Sequence, residues 1–366
     1  MTSTIEQEST TDSSIPIRNI WLLIAYASEF LQLFGENSIG VEDNPDQLPD
    51  LIAEILCFQV EKRIGRNMSH GLERHTSILG RVRGKILLLD TIGRGLLERG
   101  RIRCQFDRLT IDTRRYQFIL ASLAGVAKIV DRPDLASHCL FLSRLLERNG
   151  VSRFMFSKPP AGIFNFGRHD IQDKPMVMAA KLAHDLLIPN EIGTLARFIS
   201  TDKNQHYLRK LFEKGIAGFY NVLLSSRGWV VEAGKGLDWS ITRRTNGIDA
   251  ILPSMRSDIY MTHRPSGKRI IIDTKFNSLL TKGWYRDMTL RNSYIYQIYT
   301  YLRSQENLSD AGSMSSLGIL LHPAIGENYL ESVTIQSHEI RFATVDLSTN
   351  ARAMRQQLLT IIGLNE

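Results

Sequence analysis

The chain has 366 residues, 45 Lys+Arg against 38 Asp+Glu, 43% hydrophobic residues and 3 cysteines. A length beyond ~250–300 residues points to about two domains, and this apolar share excludes disorder as the main state. Cys57, Cys104 and Cys139 are few and widely spaced, with no CxxC pair, which excludes a disulfide scaffold, a zinc ribbon and a four-Cys cluster.

Met1–Ser14 is polar and Ser/Thr-rich, and reads as a disordered tail (1–14) without the basic-then-apolar layout of a signal peptide. Apolar residues at helical spacing then predict helices over Ile20–Phe34, Asp50–Ile64, Tyr116–Val130 and Leu135–Arg148. The first contains Glu29 and is too short to span a bilayer, so no membrane segment is expected and the protein is placed in the cytoplasm. Arg83–Leu89 reads as a strand and Arg101–Phe106 as a weaker one, giving a mixed α/β N-terminal region. Lys158–Asp173 concentrates Pro, Gly and polar turn formers and marks a boundary between domains 15–165 and 166–366.

Beyond that boundary, Met176–Leu187 and Gln205–Leu224 read as helices. Trp229–Glu232, Ile248–Ile251, Asp258–His263 and Arg269–Phe276 read as strands, followed by a helix around Tyr285–Arg303 and a strand Gly318–His322 closed by Pro323. This order predicts an α/β domain with a central mixed sheet covered by helices. Charge is uneven along it: residues 201–303 carry 17 basic and 8 acidic side chains, and Arg81–Arg115 carries 10 and 4. Two such basic segments fit either a polyanion-binding surface or ordinary solvated faces.

The segment that carries chemistry is 251–277. Asp273 and Lys275 are two apart at the end of the apolar run Arg269–Ile272, so both side chains leave one face of the sheet. Arg264-Pro265-Ser266-Gly267 reads as a four-residue hairpin loop. Pairing His263 with Lys268 sets Asp258 opposite Asp273, where Cβ atoms are roughly 4.5–5.5 Å apart. A one-residue slip would send the two carboxylates to opposite faces. Paired carboxylates raise each other's pKa unless a cation joins them, and Mg²⁺ suits one or two carboxylates plus water. A lysine beside them can orient a water or stabilise charge on a phosphoryl oxygen, so the set fits metal-assisted phosphodiester hydrolysis.

Farther along, Gln297 and Tyr301 are four apart and share a helix face over this site. Upstream, Glu213 in Leu211-Phe212-Glu213-Lys214 reads either as a third metal-reaching acid or as a solvated residue. The nine histidines form no HExxH or paired ligand spacing, so His184, His206 and His263 read as structural or surface residues.

Asp258, Asp273, Lys275 and the Gln297/Tyr301 pair resemble the PD-(D/E)XK nuclease superfamily, with the QxxxY helix of its RecB-like branch. The wider chain is similar to the McrC family, the nuclease subunits of McrBC modification-dependent restriction systems. That resemblance rests also on Ile15-Pro16-Ile17-Arg18-Asn19-Ile20-Trp21 through Ala25-Tyr26-Ala27 and on Gly80-Arg81-Val82-Arg83-Gly84-Lys85. It spans roughly residues 15–345. One departure is Gly215 after Lys214, where the family often has a bulky residue; glycine inside a helix costs ~1 kcal/mol.

The resemblance implies a PD-(D/E)XK restriction-endonuclease-like C-terminal domain. Asp258, Asp273 and Glu213 would stand at Mg²⁺, and Lys275, Gln297 and Tyr301 at the catalytic site. It also implies an N-terminal domain that inserts into and stimulates an McrB-like hexameric AAA+ GTPase, while double-stranded, modified DNA is cut. The chain has no NTPase site of its own: Gly80–Lys85 is one residue short of a Walker A spacing, with Ile86 where Ser or Thr is needed. Arg81, Arg83 and Lys85 are accordingly expected to touch the partner or DNA, or to form an ordinary basic loop. The alternatives are a non-catalytic activator or DNA clamp of an AAA+ NTPase, and a stand-alone RecB-like nuclease.

Overall fold

The computed structural model describes residues 15–28, 47–66, 68–191, 202–282, 287–325 and 327–364. The expected tail 1–14, the end of the Ile20–Phe34 helix and Tyr285 lie outside these residues. In chain order the elements begin with helices α1 (Ile17–Ala27) and α2 (Leu48–Ile64). Strands β1 (Gly71–Leu79) and β2 (Lys85–Ile86) follow, then helix α3 (Leu88–Gly93) and strand β3 (Ile102–Thr110). Helices α4 (Arg114–Val126), α5 (Pro133–Arg148), α6 (Lys174–Glu191) and α7 (Asp202–Leu224) come next. Strands β4 (Trp229–Ala233), β5 (Gly236–Leu237), β6 (Met255–Arg256), β7 (Ile259–His263), β8 (Arg269–Thr274), β9 (Leu280–Thr281) and β10 (Thr289–Leu290) lead to helix α8 (Asn292–Ser304). The chain closes with β11 (Leu317–Pro323), β12 (Leu330–Ile335), β13 (His338–Val345) and α9 (Ala351–Ile361).

Two compact units result. One is Pro49–His184; the other joins the chain up to Leu48 with Asp185–Glu366. The boundary expected at 165/166 is therefore corrected: α1 belongs with the C-terminal unit. The reason is packing that local sequence does not announce. Asn19, fully buried, donates from Nδ2 to the carbonyls of Leu347 (2.6 Å) and Thr349 (2.8 Å), and Trp21 Nε1 donates to Leu186 O at 3.2 Å. Helix α1 also lies directly on α7. A Cβ built at Gly218 would stand 1.8 Å from Tyr26 O, and one at Gly215 would stand 2.8 Å from Leu23 Cδ2. The two glycines give up helix propensity so that two backbones can meet.

In the unit Pro49–His184, β1 and β3 pair antiparallel from Gly71↔Thr110 to Leu79↔Ile102, with β2 on the far side of β3. The strand expected over Arg83–Leu89 is cut to Lys85–Ile86, because Leu88 already begins α3. Strand β1 went unforeseen, since GLERHTSIL is mostly polar and largely solvent-facing. A buried charge cluster braces this unit: Asp173, wholly inaccessible, pairs with Arg63 (2.5 Å) and Arg115 (3.3 Å) and accepts from Ser69 Oγ.

The other unit is built on a six-stranded mixed sheet in the order β12-β13-β11-β8-β7-β4. Strand β8 runs parallel to β11 and antiparallel to β7, and β11 runs parallel to β13. Isoleucines 270–272 are fully buried, as expected for a central strand covered on both faces. One face carries Tyr260, Ile271, Leu320, Ile340 and Phe342 against Ile298, Tyr301 and Leu302 of α8. The strand expected over Ile248–Ile251 is instead a single 3-10 turn, Ile248–Ala250, led by Gly247 at φ 92°. Helix α8 starts at Asn292 rather than near Tyr285, because the chain first makes the β9–β10 pair.

Candidate active site

The hairpin β7–β8 has the register anticipated from the sequence. Ile259 faces Ile272, Thr262 faces Arg269, and His263 N–H donates to Lys268 O at 2.9 Å across the loop. The next step of that ladder sets Asp258 opposite Asp273. Their carboxylates play different parts. Asp258 Oδ2 accepts from the backbone N–H (2.7 Å) and hydroxyl (2.8 Å) of Thr274, which anchors it to the end of β8. Asp273 is 1% exposed, and its Oδ2 lies 2.5 Å from Lys275 Nζ. That oxygen has no aligned hydrogen-bond donor among the described residues, so the contact is an ion pair on an otherwise unsatisfied buried atom.

Burial pushes the Asp273 carboxyl up to about 6; Lys275 lowers it in part and the nearby Asp258 charge raises it again. Glu213 on α7 is likewise raised by burial and by Asp258. It feels the pair, but no three acidic, His or Cys side chains converge on one ion position among the described residues. The chain thus offers two carboxylates, one holding an orphaned buried oxygen, with excess negative charge that a single lysine does not cancel. Such a donor set fits a hard divalent cation that completes its shell with water.

Gln297 and Tyr301 also meet as the i, i+4 spacing implies, Gln297 Nε2 donating to Tyr301 Oη at 2.7 Å. The Tyr301 hydroxyl is raised by burial and sits within the fields of Asp273, Lys275 and Asp258. The site lies at the carboxyl ends of the parallel strands β8 and β11, where open α/β sheets place ligands. Arg81, Arg83 and Lys85 belong to the other unit. Arg81 is exposed, Arg83 lies 4.1 Å from the Phe106 ring centroid, and Lys85 pairs with Gln105. His184 bonds Phe156 O at 3.0 Å and His263 bonds Ser266 Oγ at 2.7 Å, while His206 is exposed.

Three residues here escaped the sequence reading. His322 on β11 is fully buried, and burial pushes its imidazole down to about 4. Its Nδ1 donates to Asn277 O at 2.9 Å, and Asn277 Nδ2 donates to Tyr294 Oη at 2.9 Å. Tyr294 was detectable, since it precedes Gln297 by three and Tyr301 by seven and so shares their helix face. Nothing in the local spacing marks His322 or Asn277.

Residues 207–323 match the family model described as "McrBC 5-methylcytosine restriction system component". This stretch runs from α7 to the end of β11 and holds every residue of the site just described. Over a longer span, the chain is 24% identical across 351 residues to the type IV methyl-directed restriction enzyme EcoKMcrBC of Escherichia coli (strain K12), covering 95% of this chain and 97% of that one. Two solved structures are also similar. One is a half-complex from a tetradecameric assembly of Thermococcus gammatolerans McrB AAA+ hexamers with bound McrC (TM-score 0.42, 12% identity, 97% of this chain and 78% of that chain). The other is the Thermococcus gammatolerans McrBC complex (TM-score 0.31, 12% identity, 51% and 60%). Among the described residues, no helix is long and apolar enough to cross a membrane.

Proposed function

We propose that this chain is the DNA-cutting subunit of a McrBC-like restriction system, a Mg²⁺-dependent endonuclease of PD-(D/E)XK type engaged by an McrB-like AAA+ GTPase hexamer. The observation that carries the reading is the end of the β7–β8 ladder, where Asp258 and Asp273 directly follow the last pair, Ile259↔Ile272, and Lys275 closes on Asp273 at 2.5 Å. The McrBC family match over 207–323 supports the same reading, as does the similarity to the E. coli restriction enzyme.

Asp258 and Asp273 would hold the cation. When bound, Mg²⁺ supplies an acidified water and neutralises phosphoryl charge. Lys275 presents its N–H donors to that water or to the phosphoryl oxygen on which charge develops. Thr274 fixes Asp258 through two hydrogen bonds, so that carboxylate needs little reorganisation during the reaction. Gln297 steers the Tyr301 hydroxyl at the edge of the site. Basic side chains of residues 201–303 hold the phosphate backbone without reading sequence.

The test is plasmid cleavage on methylated and unmethylated DNA with Mg²⁺, using the chain alone, with the GTPase partner and GTP, and as Asp273→Ala or Lys275→Ala in the same mixture. Cleavage is expected only from the complete wild-type mixture. Equal cutting by Asp273→Ala would overturn the site. GTP hydrolysis that rises on adding the chain, with no cutting, would replace this reading by that of a non-catalytic activator.

A further inference from the structure

Lys275 stands just past the end of β8, and its long flexible side chain has many places to go. A short chain of contacts, two of them on Lys275 itself, sets one. Its backbone N–H donates to Leu321 O at 2.9 Å, tying it to β11. Two residues on, the Asn277 carbonyl accepts from His322 Nδ1 at 2.9 Å. A carbonyl only accepts, so Nδ1 carries the hydrogen and Nε2 is left as a buried lone pair with no partner among the described residues. A fully buried imidazole with one nitrogen unsatisfied is a poor stabiliser, so its placement is explained by the bond that Nδ1 makes. The Asn277 amide then reaches Tyr294 Oη at 2.9 Å, and the Tyr294 ring stands with its centroid 5.9 Å from that of His322 and 5.3 Å from Lys275 Nζ. An ammonium at that distance is attracted to the ring face.

We propose that His322, Asn277 and Tyr294 form a positioning bracket for Lys275, holding its ammonium between the Tyr294 ring and Asp273. None of the three touches the reacting atoms; they act through Lys275. The bracket runs from strand β11 through the 275–277 segment to helix α8 and back, so it ties the lysine to the helix that carries Gln297 and Tyr301. The side chain of Lys275 is 21% exposed, open enough for substrate yet enclosed on the tyrosine side. The inference rests on the nuclease reading for its consequence and on geometry alone for its existence, so two experiments separate them.

The first is single-turnover and steady-state cleavage by the complete mixture of chain, GTPase partner, GTP and Mg²⁺. Tyr294→Phe keeps the ring over Lys275 but loses the bond from Asn277, and is expected to fall between wild type and Tyr294→Leu. Tyr294→Leu removes the ring and is expected to lower kcat tenfold or more with KM changed less than twofold. His322→Asn places an amide N–H near the imidazole Nδ1 and should recover most of the kcat that His322→Leu loses. Equal activity of Tyr294→Leu and Tyr294→Phe would overturn the bracket. The second experiment needs no activity: the full chain is acetylated with N-hydroxysuccinimidyl acetate and Lys275 labelling is read by mass spectrometry. Tyr294→Leu should label several-fold faster than wild type, with Tyr294→Phe between the two; unchanged labelling in Tyr294→Leu refutes the bracket even if the wild-type chain cuts nothing. Failure of wild-type cleavage with the labelling pattern intact would overturn the nuclease reading and leave the bracket standing.

Discussion

Replacing Asp273 with asparagine should make the metal-free protein more stable at neutral pH. The wild-type carboxyl is 1% exposed and titrates at about 6, whereas an unfolded-chain aspartate titrates near 3.8. A folded pKa above the unfolded one means that the fold favours the protonated acid. Below about pH 4 both states hold the proton and nothing is lost. As pH rises to about 6 the fold must ionise a carboxyl it prefers neutral, and above that the full difference of about two pKa units, about 3 kcal/mol, works against folding. The asparagine carries no such penalty and its amide oxygen can stand beside the Lys275 ammonium; leaving one amide N–H imperfectly paired returns about 1 kcal/mol of the gain. A net of about 2 kcal/mol corresponds to roughly 4–8 °C for a unit of this size. Calorimetry in chelator should therefore place Asp273→Asn above wild type at pH 8, with the gap closing towards pH 4. Adding Mg²⁺ should raise wild type and leave the variant unmoved, because only the paired carboxylates gain by binding it. A variant no more stable than wild type at pH 8, or a gap independent of pH, would refute the argument.

Two further substitutions probe packing. Gly218→Ala would normally favour a helix, but here its Cβ meets Tyr26 O at 1.8 Å, so forcing α1 away should cost about 1–3 kcal/mol or more in denaturant unfolding. Gly93→Ala is the control: nothing lies within 4 Å of its added Cβ, and it should be neutral or stabilising by up to about 1 kcal/mol. Asp173→Ala strands Arg63 in the interior of the other unit, while Arg115 keeps Asp170 at 2.7 Å, and is expected to cost about 3–5 kcal/mol, seen as early loss of that unit in limited proteolysis.

Much of the candidate site was readable from residue order. The hairpin loop Arg264–Gly267 ties its two strands closely in sequence, so one assumed pair set the register that brings Asp258 to Asp273. The long helices were readable because an apolar face recurring at 3.6 residues has no competing explanation over that many turns. Short or polar elements were not. Strands β12 and β13 were missed because β12 is almost wholly exposed, and their turn, Gln336-Ser337, uses left-handed backbone (φ 47° and 72°) without the usual Asn or Gly.

Local patterning also carried no trace of what joins distant segments. Spacing and residue type were enough to nominate Asp258, Asp273, Lys275, Gln297 and Tyr301, since each pair is set by a hairpin or by one helix face. Asn19 reaching Leu347, Gly218 admitting Tyr26, and His322 clasping Asn277 join residues separated by 45 to 328 positions. Those unions arise only when buried polar groups must find partners and helices must fit backbone against backbone. Both demands appear once the chain has collapsed, so they belong to the folded core.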